Sequence, residues 1–500
     1  MVEGLRAEQR AAAGRLARRG LPYLLLPLAL GLRLQGLTFQ SLWRDEVDSI
    51  RFATSATVHS LVQVGWNGPV YTYILRLWLI FSGTSEYAGR FLSVLAGVAG
   101  VALCFALGRA LAGRRVALTA SALVAFSPYL IWYSQELKMY ALLCLLGAAS
   151  FALFLEALRR GGWFRWAAYA LLTAAMPYVH ILGVLLIPAQ VLAFLLLGPA
   201  ERQHWRGWLA ATAALTLPYL PLAAWQAPLL ATAFHTGHPY YPLPLMLSIL
   251  CRGWGLGIVA SAHPWLLLAY APAIVLAIAP PAVGGWRPNE SNRRRTLVVL
   301  LAWLLVPPGL VQLISLRSPV FTDRYLIASL PPLLLIVALG IDAVARRYRP
   351  LAAALLAAVL LVASYGTWQQ GRYSIKANSR GAAAIIRASW QPGDALVLQI
   401  PYLRYSMDYY LGPGYKAVEG PYTNAGMTAE DVDLYLRTQL ARQERAWLVL
   451  SEAPMWDSRA LTAEWFRKNA APAGEWHLAR LDLYLYVLPW EVAGAPGSYQ

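Results

Sequence analysis

The residues best suited to chemistry near the start of the chain are three carboxylates in the stretch Ser41–Asp48, which reads SLWRDEVD. Asp45 and Glu46 are adjacent, Asp48 follows two residues later, and the stretch comes directly after an apolar run. A carboxylate can take a proton from an incoming hydroxyl group while another bond breaks. An acidic pair in a loop is more often only solvated. The positions of other polar groups are therefore needed to choose between a catalytic and a merely solvated pair.

Further ionisable residues follow the ends of other apolar runs. They are Glu136 and Lys138 in WYSQELKMY, His180 in MPYVHILG, His235 and His238 in FHTGHPYY, and Arg317, Asp323 and Arg324 in RSPVFTDRYL. Cations of this kind would hold a phosphate, bidentately where Arg is used. Each group also has an ordinary explanation: Glu136 and Lys138 can neutralise each other, and Arg324 can anchor a span at the membrane interface. Their predicted position at one membrane face favours a functional site.

The composition indicates a membrane protein. Of the 500 residues, 58% are hydrophobic and only 13% are charged, which is too apolar for a soluble protein. The net charge of +17 does not predict nucleic-acid binding, because the basic residues stand in short clusters between apolar runs. The three cysteines, Cys104, Cys144 and Cys251, have no CxxC spacing, so neither a disulfide framework nor a zinc ribbon is predicted.

Eleven runs are long and apolar enough to be predicted as membrane spans. They are 21–39, 87–108, 116–133, 139–158, 164–179, 181–198, 207–226, 264–284, 296–316, 325–344 and 350–367. The arginine-rich links between them fall on one side when the basic tail, 1–20, is cytoplasmic and uncleaved. This orientation predicts a multi-pass protein of the plasma membrane with its C-terminus outside.

Two apolar stretches are predicted to lie in the interface rather than to span. Residues 68–83 carry Arg76 at their centre and aromatic residues that suit an amphipathic helix. Residues 243–262 are Gly-rich and interrupted by Arg252, and they are predicted to form an interfacial or re-entrant helix in a long external loop. The first external loop is then 40–86, and it contains the Asp45–Glu46 pair.

The chain changes character at about residue 368. Residues 368–500 hold 13 of the 25 acidic residues, and short apolar runs alternate with helical stretches. We therefore predict a transmembrane domain over 21–367 and a soluble extracytoplasmic α/β domain over 368–500.

Two other classes of protein fit part of this pattern. A transporter or flippase of lipid-linked sugars would share a cavity for an amphiphile, but it would place ionisable residues near the bilayer midplane or on repeated halves, and the sequence shows neither. A non-catalytic scaffold would disperse the outer ionisable residues around the bundle.

Several stretches together resemble a known family. In order, they are SLWRDE, NGPVYTYILRLW, SPYLIWYSQELKMYALL and DRYLIASLPPLLLIVALG, within about 25–345. They resemble the membrane glycosyltransferases of the GT-C superfamily that use polyprenyl-phosphate sugars, which include protein O-mannosyltransferases and the aminoarabinose transferases of lipid A. The resemblance implies a polytopic α-helical, GT-C-like fold and transfer of a monosaccharide to an acceptor hydroxyl.

The resemblance also implies roles for particular residues. Asp45 would deprotonate or orient the acceptor hydroxyl, and Glu46 would support it. Glu136 would position the acceptor or help to bind a metal in members that use one. Arg324 would meet the donor phosphate, with Lys138 as a second candidate.

His180 and Asp48 are candidates for contacts with substrate or with a metal, and a divalent metal is left open while no organic cofactor is expected. The partners expected are membrane lipids, a polyprenyl-phosphate-linked sugar donor and an acceptor protein, glycan or lipid. The sequence departs from many members at Asn67-Gly68-Pro69, where they have a Lys or His before two prolines. The resemblance therefore does not extend to the identity of an aminoarabinose transferase.

Overall fold

The chain folds into two compact units. The computed structural model describes residues 24–55, 68–231, 238–259, 262–279 and 290–489. The predicted tail, 1–20, and His235 lie outside these residues. The first unit, called the helical unit below, comprises Met1–Leu37 and Phe52–Arg372. The second, called the C-terminal unit, comprises Thr38–Arg51 and Tyr373–Gln500.

The described part of the helical unit consists of helices. They are α1 (Leu24–Leu34), the end of α2 (Arg44–Thr54), α3 (Pro69–Ser82), α4 (Glu86–Ala112), α5 (Arg114–Phe126), α6 (Pro128–Ser134), α7 (Tyr140–Arg160), α8 (Trp163–Val179), α9 (Leu186–Leu196), α10 (Trp205–Ala231), α11 (Leu243–Leu256), α12 (Ala271–Ile278), α13 (Glu290–Ser315), α14 (Leu330–Arg347) and α15 (Arg349–Arg372). Four short 3₁₀ helices join them, at Ile181–Leu185, Pro199–Arg202, Pro264–Ala269 and Asp323–Ser329.

Five helices in the described residues are long and apolar enough to cross a membrane, and a bent pair makes a sixth. The five are Glu86–Ala112, Tyr140–Arg160, Asn292–Ser315, Asp323–Arg347 and Arg349–Arg372, and the pair is α5 with α6. The structure thus has the helical, membrane-type fold that the sequence predicts, while the number of eleven spans stays a prediction. The two stretches that are predicted to lie in the interface form helices α3 and α11. Each has 14 residues and is too short to cross a membrane.

The bend of 59° between α5 and α6 has a local cause. Ser127 separates the two helices, its hydroxyl accepts from the Leu130 N–H at 3.4 Å, and Pro128 occupies the first helical position. The last carbonyls of α5, at Val124 and Ala125, each accept a hydrogen bond of 3.2 Å from the fully buried guanidinium of Arg33. Arg33 therefore fixes the break that precedes Glu136.

The C-terminal unit contains a five-stranded sheet of order β2-β1-β3-β5-β4. Its strands are β1 (Asp394–Leu398), β2 (Lys416–Glu419), β3 (Arg445–Leu450), β4 (Ala471–Leu478) and β5 (Leu481–Val487). Strand β1 is parallel to β2 and β3, whereas β5 is antiparallel to β3 and β4.

Helices cover both faces of this sheet, because side chains alternate along each strand. Leu396 and Leu398 pack with α16 (Ser379–Ser389) and α17 (Leu403–Leu411). Ala395 and Val397 face the other way and pack with α18 (Ala429–Leu440) and α19 (Leu461–Asn469). The unit is therefore a three-layer arrangement of helices, sheet and helices.

Candidate functional site

The acidic segment begins helix α2, and its residues cap that helix. Trp43 precedes the helix, and its backbone N–H lies 3.4 Å from Glu46 Oε2, the acceptor three residues later. This is half of a capping box, which satisfies a backbone donor that the helix leaves unpaired. Carboxylates in the first turn are also stabilised by the helix dipole.

Glu46 is fully buried and forms an ion pair. Its Oε2 atom accepts from Lys376 Nζ at 2.9 Å, and the Lys376 side chain is only 7% exposed. Glu46 had been predicted to support Asp45, and the structure shows which cation balances its charge. Sequence analysis did not select Lys376.

Asp48 lies near the surface and is engaged by two cations of its own helix. Its carboxylate lies 3.6 Å from Arg44 and 3.2 Å from Arg51, at the spacings expected for neighbours on a helix. The two guanidinium groups in turn lie over the rings of Tyr402 and Tyr405. Asp48, predicted as a substrate or metal contact, therefore takes part in exposed ion pairs.

Asp45 differs from both of its acidic neighbours. It is half-buried, and its carboxylate forms no hydrogen bond or ion pair with any residue in the described part of the chain. Only its backbone carbonyl is used, as the acceptor of the Ser49 hydroxyl at 2.9 Å. Of the three acids, Asp45 is the one whose carboxylate oxygens the described residues leave available to a substrate.

The helical unit holds a second set of predicted residues, beginning in the loop after α6. Gln135 anchors this loop by donating from Nε2 to the carbonyls of Arg33, at 3.0 Å, and Gln35, at 2.8 Å. Glu136 is buried, and its Oε1 accepts from Trp132 Nε1 at 3.2 Å. Lys138 is buried as well. A short loop therefore places an acid and a base, both removed from solvent, two residues apart.

The guanidinium group of Arg324 lies close to two tyrosine rings. Arg324 is the second residue of the 3₁₀ helix Asp323–Ser329, and its guanidinium carbon lies 5.9 Å from the ring centre of Tyr140 and 5.8 Å from that of Tyr325. Cations over ring faces at such distances are attracted by the ring quadrupole. The neighbouring Asp323 accepts a hydrogen bond of 3.1 Å from the Tyr129 hydroxyl.

His180 lies beside the same rings. It separates α8 from the 3₁₀ helix Ile181–Leu185, and its ring centre is 4.6 Å from that of Tyr325 and 6.2 Å from that of Tyr140. Burial, together with the positive charges of Arg324 and Lys138, lowers the pKa of His180 to about 3. His180 is therefore a neutral imidazole at physiological pH.

A backbone contact fixes the tautomer of His180. The Leu182 N–H donates to Nδ1 at 3.3 Å, so the single proton of the neutral ring is on Nε2. Nε2 is buried and has no hydrogen-bond partner among the residues that the structure describes. A metal bound at Nε2 would need the proton on Nδ1, so this geometry favours a hydrogen-bond donor over a metal ligand.

The fold brings together residues from three separate stretches of the chain. His180 and Arg324 share Tyr140 and Tyr325 as neighbours, and Lys138 is close enough to act on the charge of His180. Neither tyrosine is among the predicted site residues, although Tyr140 stands near Lys138 in WYSQELKMY and Tyr325 follows Arg324 in DRYL. The short distance along the sequence between these tyrosines and the charged residues could have indicated that they belong to the site.

A second signal was the scarcity of lysine. The chain has four lysines among 42 basic residues, at positions 138, 376, 416 and 468. Lys138 and Lys376 are buried, whereas the other two are exposed. Two of the four lysines are therefore buried, one acting on the charge of His180 and the other paired with Glu46.

Close backbone packing explains why a glycine stands at position 68. The Gly68 N–H donates to the Val179 carbonyl at 3.2 Å, and a Cβ added at Gly68 would lie 1.9 Å from the carbonyl oxygen of Tyr178. Only glycine fits against the backbone that leads into His180. In the described residues, no group of three or more His, Cys, Asp or Glu side chains is placed to hold a metal ion.

Comparison with known proteins supports the predicted resemblance. A sequence model of the dolichyl-phosphate-mannose-protein mannosyltransferases matches residues 67–225. This range includes Glu136, Lys138 and His180 but begins after Asp45. A search of curated protein sequences finds no significant match.

Solved structures share the fold at low sequence identity. ArnT from Cupriavidus metallidurans, bound to undecaprenyl phosphate, is 12% identical, with a TM-score of 0.53 over 93% of this chain and 97% of its own. The oligosaccharyltransferase AglB from Archaeoglobus fulgidus, in complex with an inhibitory peptide and a dolichol-phosphate, is 12% identical, with a TM-score of 0.53 over 94% of this chain and 74% of its own.

The mycobacterial arabinofuranosyltransferase AftD is 16% identical, with a TM-score of 0.52 over 95% of this chain, but only 42% of AftD is covered. The resemblance to the polyprenyl-phosphate-dependent membrane glycosyltransferases of the GT-C superfamily is thus confirmed, and the chain shares their fold.

Proposed function

We propose that this protein is an integral membrane glycosyltransferase. It transfers a hexose or pentose from a polyprenyl-phosphate donor to an acceptor hydroxyl at the extracytoplasmic face of the plasma membrane. The observation that carries the proposal is the state of Asp45, a half-buried carboxylate that no described residue engages, beside two acids that are both paired. A group intended to accept a proton must keep its lone pairs available until the substrate arrives.

The donor phosphate binds at the second set of residues. Arg324 and Lys138 supply positive charge at a largely buried position, where electrostatic attraction to an anion is stronger than in water. The Nε2–H of His180 supplies a neutral hydrogen bond to a phosphate oxygen. The rings of Tyr140 and Tyr325 hold the planar guanidinium group of Arg324 in one orientation, which suits two parallel hydrogen bonds to a phosphate.

A mostly apolar cavity, lined in part by residues that follow Lys138 and Arg324 in the chain, suits the lipid tail of the donor. Its lining includes Ile327 and Pro331, which follow Arg324 in the chain, and small residues of helix α4 such as Gly97 and Gly100. A phosphate at Arg324 with its tail along this lining would satisfy both ends of an amphiphile.

The reaction is a single displacement. The acceptor hydroxyl gives its proton to the Asp45 carboxylate, and its oxygen forms a bond to the anomeric carbon. The bond from that carbon to the phosphate oxygen breaks, and its electron pair leaves with the polyprenyl phosphate. An anionic phosphate is a good leaving group, so no strong general acid is required, and the anomeric centre is inverted.

The membrane orientation follows from the arginine-rich links. The proposed topology has eleven spans, with the N-terminus in the cytoplasm and residues 368–500 outside. The Asp45 segment is then also extracytoplasmic, on the side where it can meet an acceptor protein, glycan or lipid.

A transfer assay tests the proposal. Purified protein in lipid bilayers receives a panel of labelled polyprenyl-phosphate monosaccharides with an extract of envelope acceptors, and released polyprenyl phosphate is measured. The proposal predicts release with at least one donor. Binding of donors with movement across the bilayer, but without cleavage of any of them, would instead identify a transporter.

A further inference from the structure

The segment that carries Asp45 belongs to the C-terminal unit, although the two are separated by more than 300 residues in the chain. Residues Thr38–Arg51 group with Tyr373–Gln500. Sequence analysis had assigned this segment to an external loop of the transmembrane domain. If Asp45 is the base of the proposed function, the C-terminal unit supports a catalytic residue.

Hydrogen bonds between side chains and main-chain groups tie the beginning of this segment to the rest of the C-terminal unit. Gln40 donates from Nε2 to the Tyr373 carbonyl at 2.9 Å, and its Oε1 accepts from the Ile375 N–H at 3.1 Å and the Lys376 N–H at 3.3 Å. Arg380 donates to the carbonyl of Thr38 at 2.7 Å. Two side chains, one from each segment, therefore satisfy main-chain groups of the other segment and hold the two together.

Further contacts hold the segment up to the first turn of α2. The Leu42 N–H donates to the Tyr410 hydroxyl at 2.7 Å, and the Ser41 hydroxyl donates to Asn378 Oδ1 at 3.1 Å. Arg44 lies 4.2 Å above the ring of Tyr402. Residues on both sides of Asp45 are therefore held by the C-terminal unit, while its own carboxylate is not used.

The most deeply buried of these contacts is the ion pair between Glu46 and Lys376. Both side chains are removed from water, with exposures of 0% and 7%, and the ammonium group also lies 5.5 Å from the centre of the Trp43 ring. A buried ion pair contributes little net stability compared with an apolar pair of similar size, because both charges lose their hydration. In some proteins such a pair instead specifies one arrangement of the chain over others.

We propose that the C-terminal unit orients the catalytic carboxylate, with Lys376 as a positioning residue that acts through Glu46. Glu46 follows Asp45 directly on the first turn of α2, so fixing Glu46 on Lys376 fixes the rotation of the helix and the direction of Asp45. Reaction rates are sensitive to such placement, and a displacement of about 1 Å can lower a rate by about 100-fold.

The experiment compares four forms of the full-length protein in lipid bilayers. They are the wild type, Lys376→Met, the double variant Glu46→Gln with Lys376→Met, and Arg437→Met. The last breaks an exposed ion pair with Asp433 on helix α18 and serves as the matched control. Thermal stability, binding of labelled polyprenyl phosphate and transfer turnover per donor-binding site are measured for each.

Turnover and stability are expected to separate in the double variant. Lys376→Met leaves a buried carboxylate without its partner and lowers both quantities, whereas removing both charges together restores thermal stability. Turnover per donor-binding site stays at least about 10-fold below wild type in the double variant, because the orienting contact is still missing. Polyprenyl phosphate binding and the Arg437→Met control stay at wild-type levels.

The outcomes distinguish this role from the proposed function. If turnover per donor-binding site in the double variant equals that of the wild type, Lys376 is only a structural residue and the inference is overturned. The same conclusion follows if Lys376→Met already has wild-type turnover per site. If the wild type transfers no sugar from any donor, the proposed function itself fails.

Discussion

The Leu182 N–H donates a hydrogen bond to His180 Nδ1, and this contact determines what His180 can offer a substrate. The proton of the neutral ring must be on Nε2, which is buried beside Tyr325 with no partner in the described residues. A buried donor without a partner is costly unless a ligand supplies an acceptor. In the proposed function that acceptor is a phosphate oxygen of the donor.

Substitution of His180 tests this donor directly. His180→Gln keeps an N–H group at a similar reach, so donor affinity should stay within about threefold of wild type. His180→Ala removes the donor, and the loss of one buried hydrogen bond should weaken donor affinity by about 10-fold. Equilibrium binding of labelled polyprenyl phosphate measures both. Equal affinity in His180→Ala and the wild type would show that Nε2 does not contact the donor.

The low pKa of His180 also predicts how stability depends on pH. The folded state disfavours the protonated ring, with a pKa of about 3, against about 6.5 in the unfolded chain. Stability from this group is therefore complete above pH 6.5 and is lost as the pH falls towards 3. Thermal unfolding between pH 7 and pH 4 should decline less steeply in His180→Gln than in the wild type. Parallel curves would contradict the burial of a neutral histidine.

Arg324 should govern donor affinity. Arg324→Met removes a charge-assisted contact to phosphate and should raise the dissociation constant for polyprenyl phosphate by about 10- to 100-fold. Arg324→Lys keeps the charge but loses the planar group over Tyr140 and Tyr325, so it should restore only part of the affinity.

The matched control for Arg324 is Arg317→Met, which changes an exposed arginine of the same stretch. Its affinity for polyprenyl phosphate should equal that of the wild type. An equal loss in both variants would show that the effect comes from general surface charge and not from a phosphate site.

Gly68 should tolerate no side chain. The Cβ of Gly68→Ala would meet the backbone of Tyr178 at 1.9 Å, so the chain leading into His180 must move. We expect a loss of stability of about 2 kcal/mol together with weaker donor binding, measured by thermal unfolding and by equilibrium binding. Gly309→Ala adds a Cβ that meets nothing within 4 Å and serves as the control. A fully stable Gly68→Ala variant would contradict the close packing.

Some of this site follows from sequence because it depends on local pattern. Glu136 and His180 follow apolar runs and Arg324 precedes one, and the structure brings the last two to a shared pair of tyrosine rings. The acidic stretch from Asp45 to Asp48 is also visible in the sequence. Which of these acids has a carboxylate available to a substrate, however, depends on the direction in which each side chain leaves helix α2 and on the partners that it meets there.

The partner of Glu46 could not be predicted in the same way. Lys376 is 330 residues away, and neither hydrophobic periodicity nor loop chemistry indicates a contact at that separation. The assignment of Thr38–Arg51 to the C-terminal unit was missed for the same reason, because long-range packing leaves no local trace.

The number of spans is hard to predict because proline, serine and glycine interrupt the apolar runs. The run 116–133 was predicted as one span, yet Ser127 and Pro128 divide it into two helices that differ in direction by 59°. Hydropathy alone does not detect such a break, since the flanking residues are equally apolar.

The most direct test of the account is the turnover of Asp45→Asn beside Asp48→Asn. Both variants replace one acid of helix α2 by a neutral residue of the same shape, but only Asp45 has a carboxylate that the described residues leave available. The account predicts that Asp45→Asn binds polyprenyl phosphate normally and loses transfer by at least about 100-fold, while Asp48→Asn keeps turnover within about threefold. Transfer by Asp45→Asn at the wild-type rate would contradict the account.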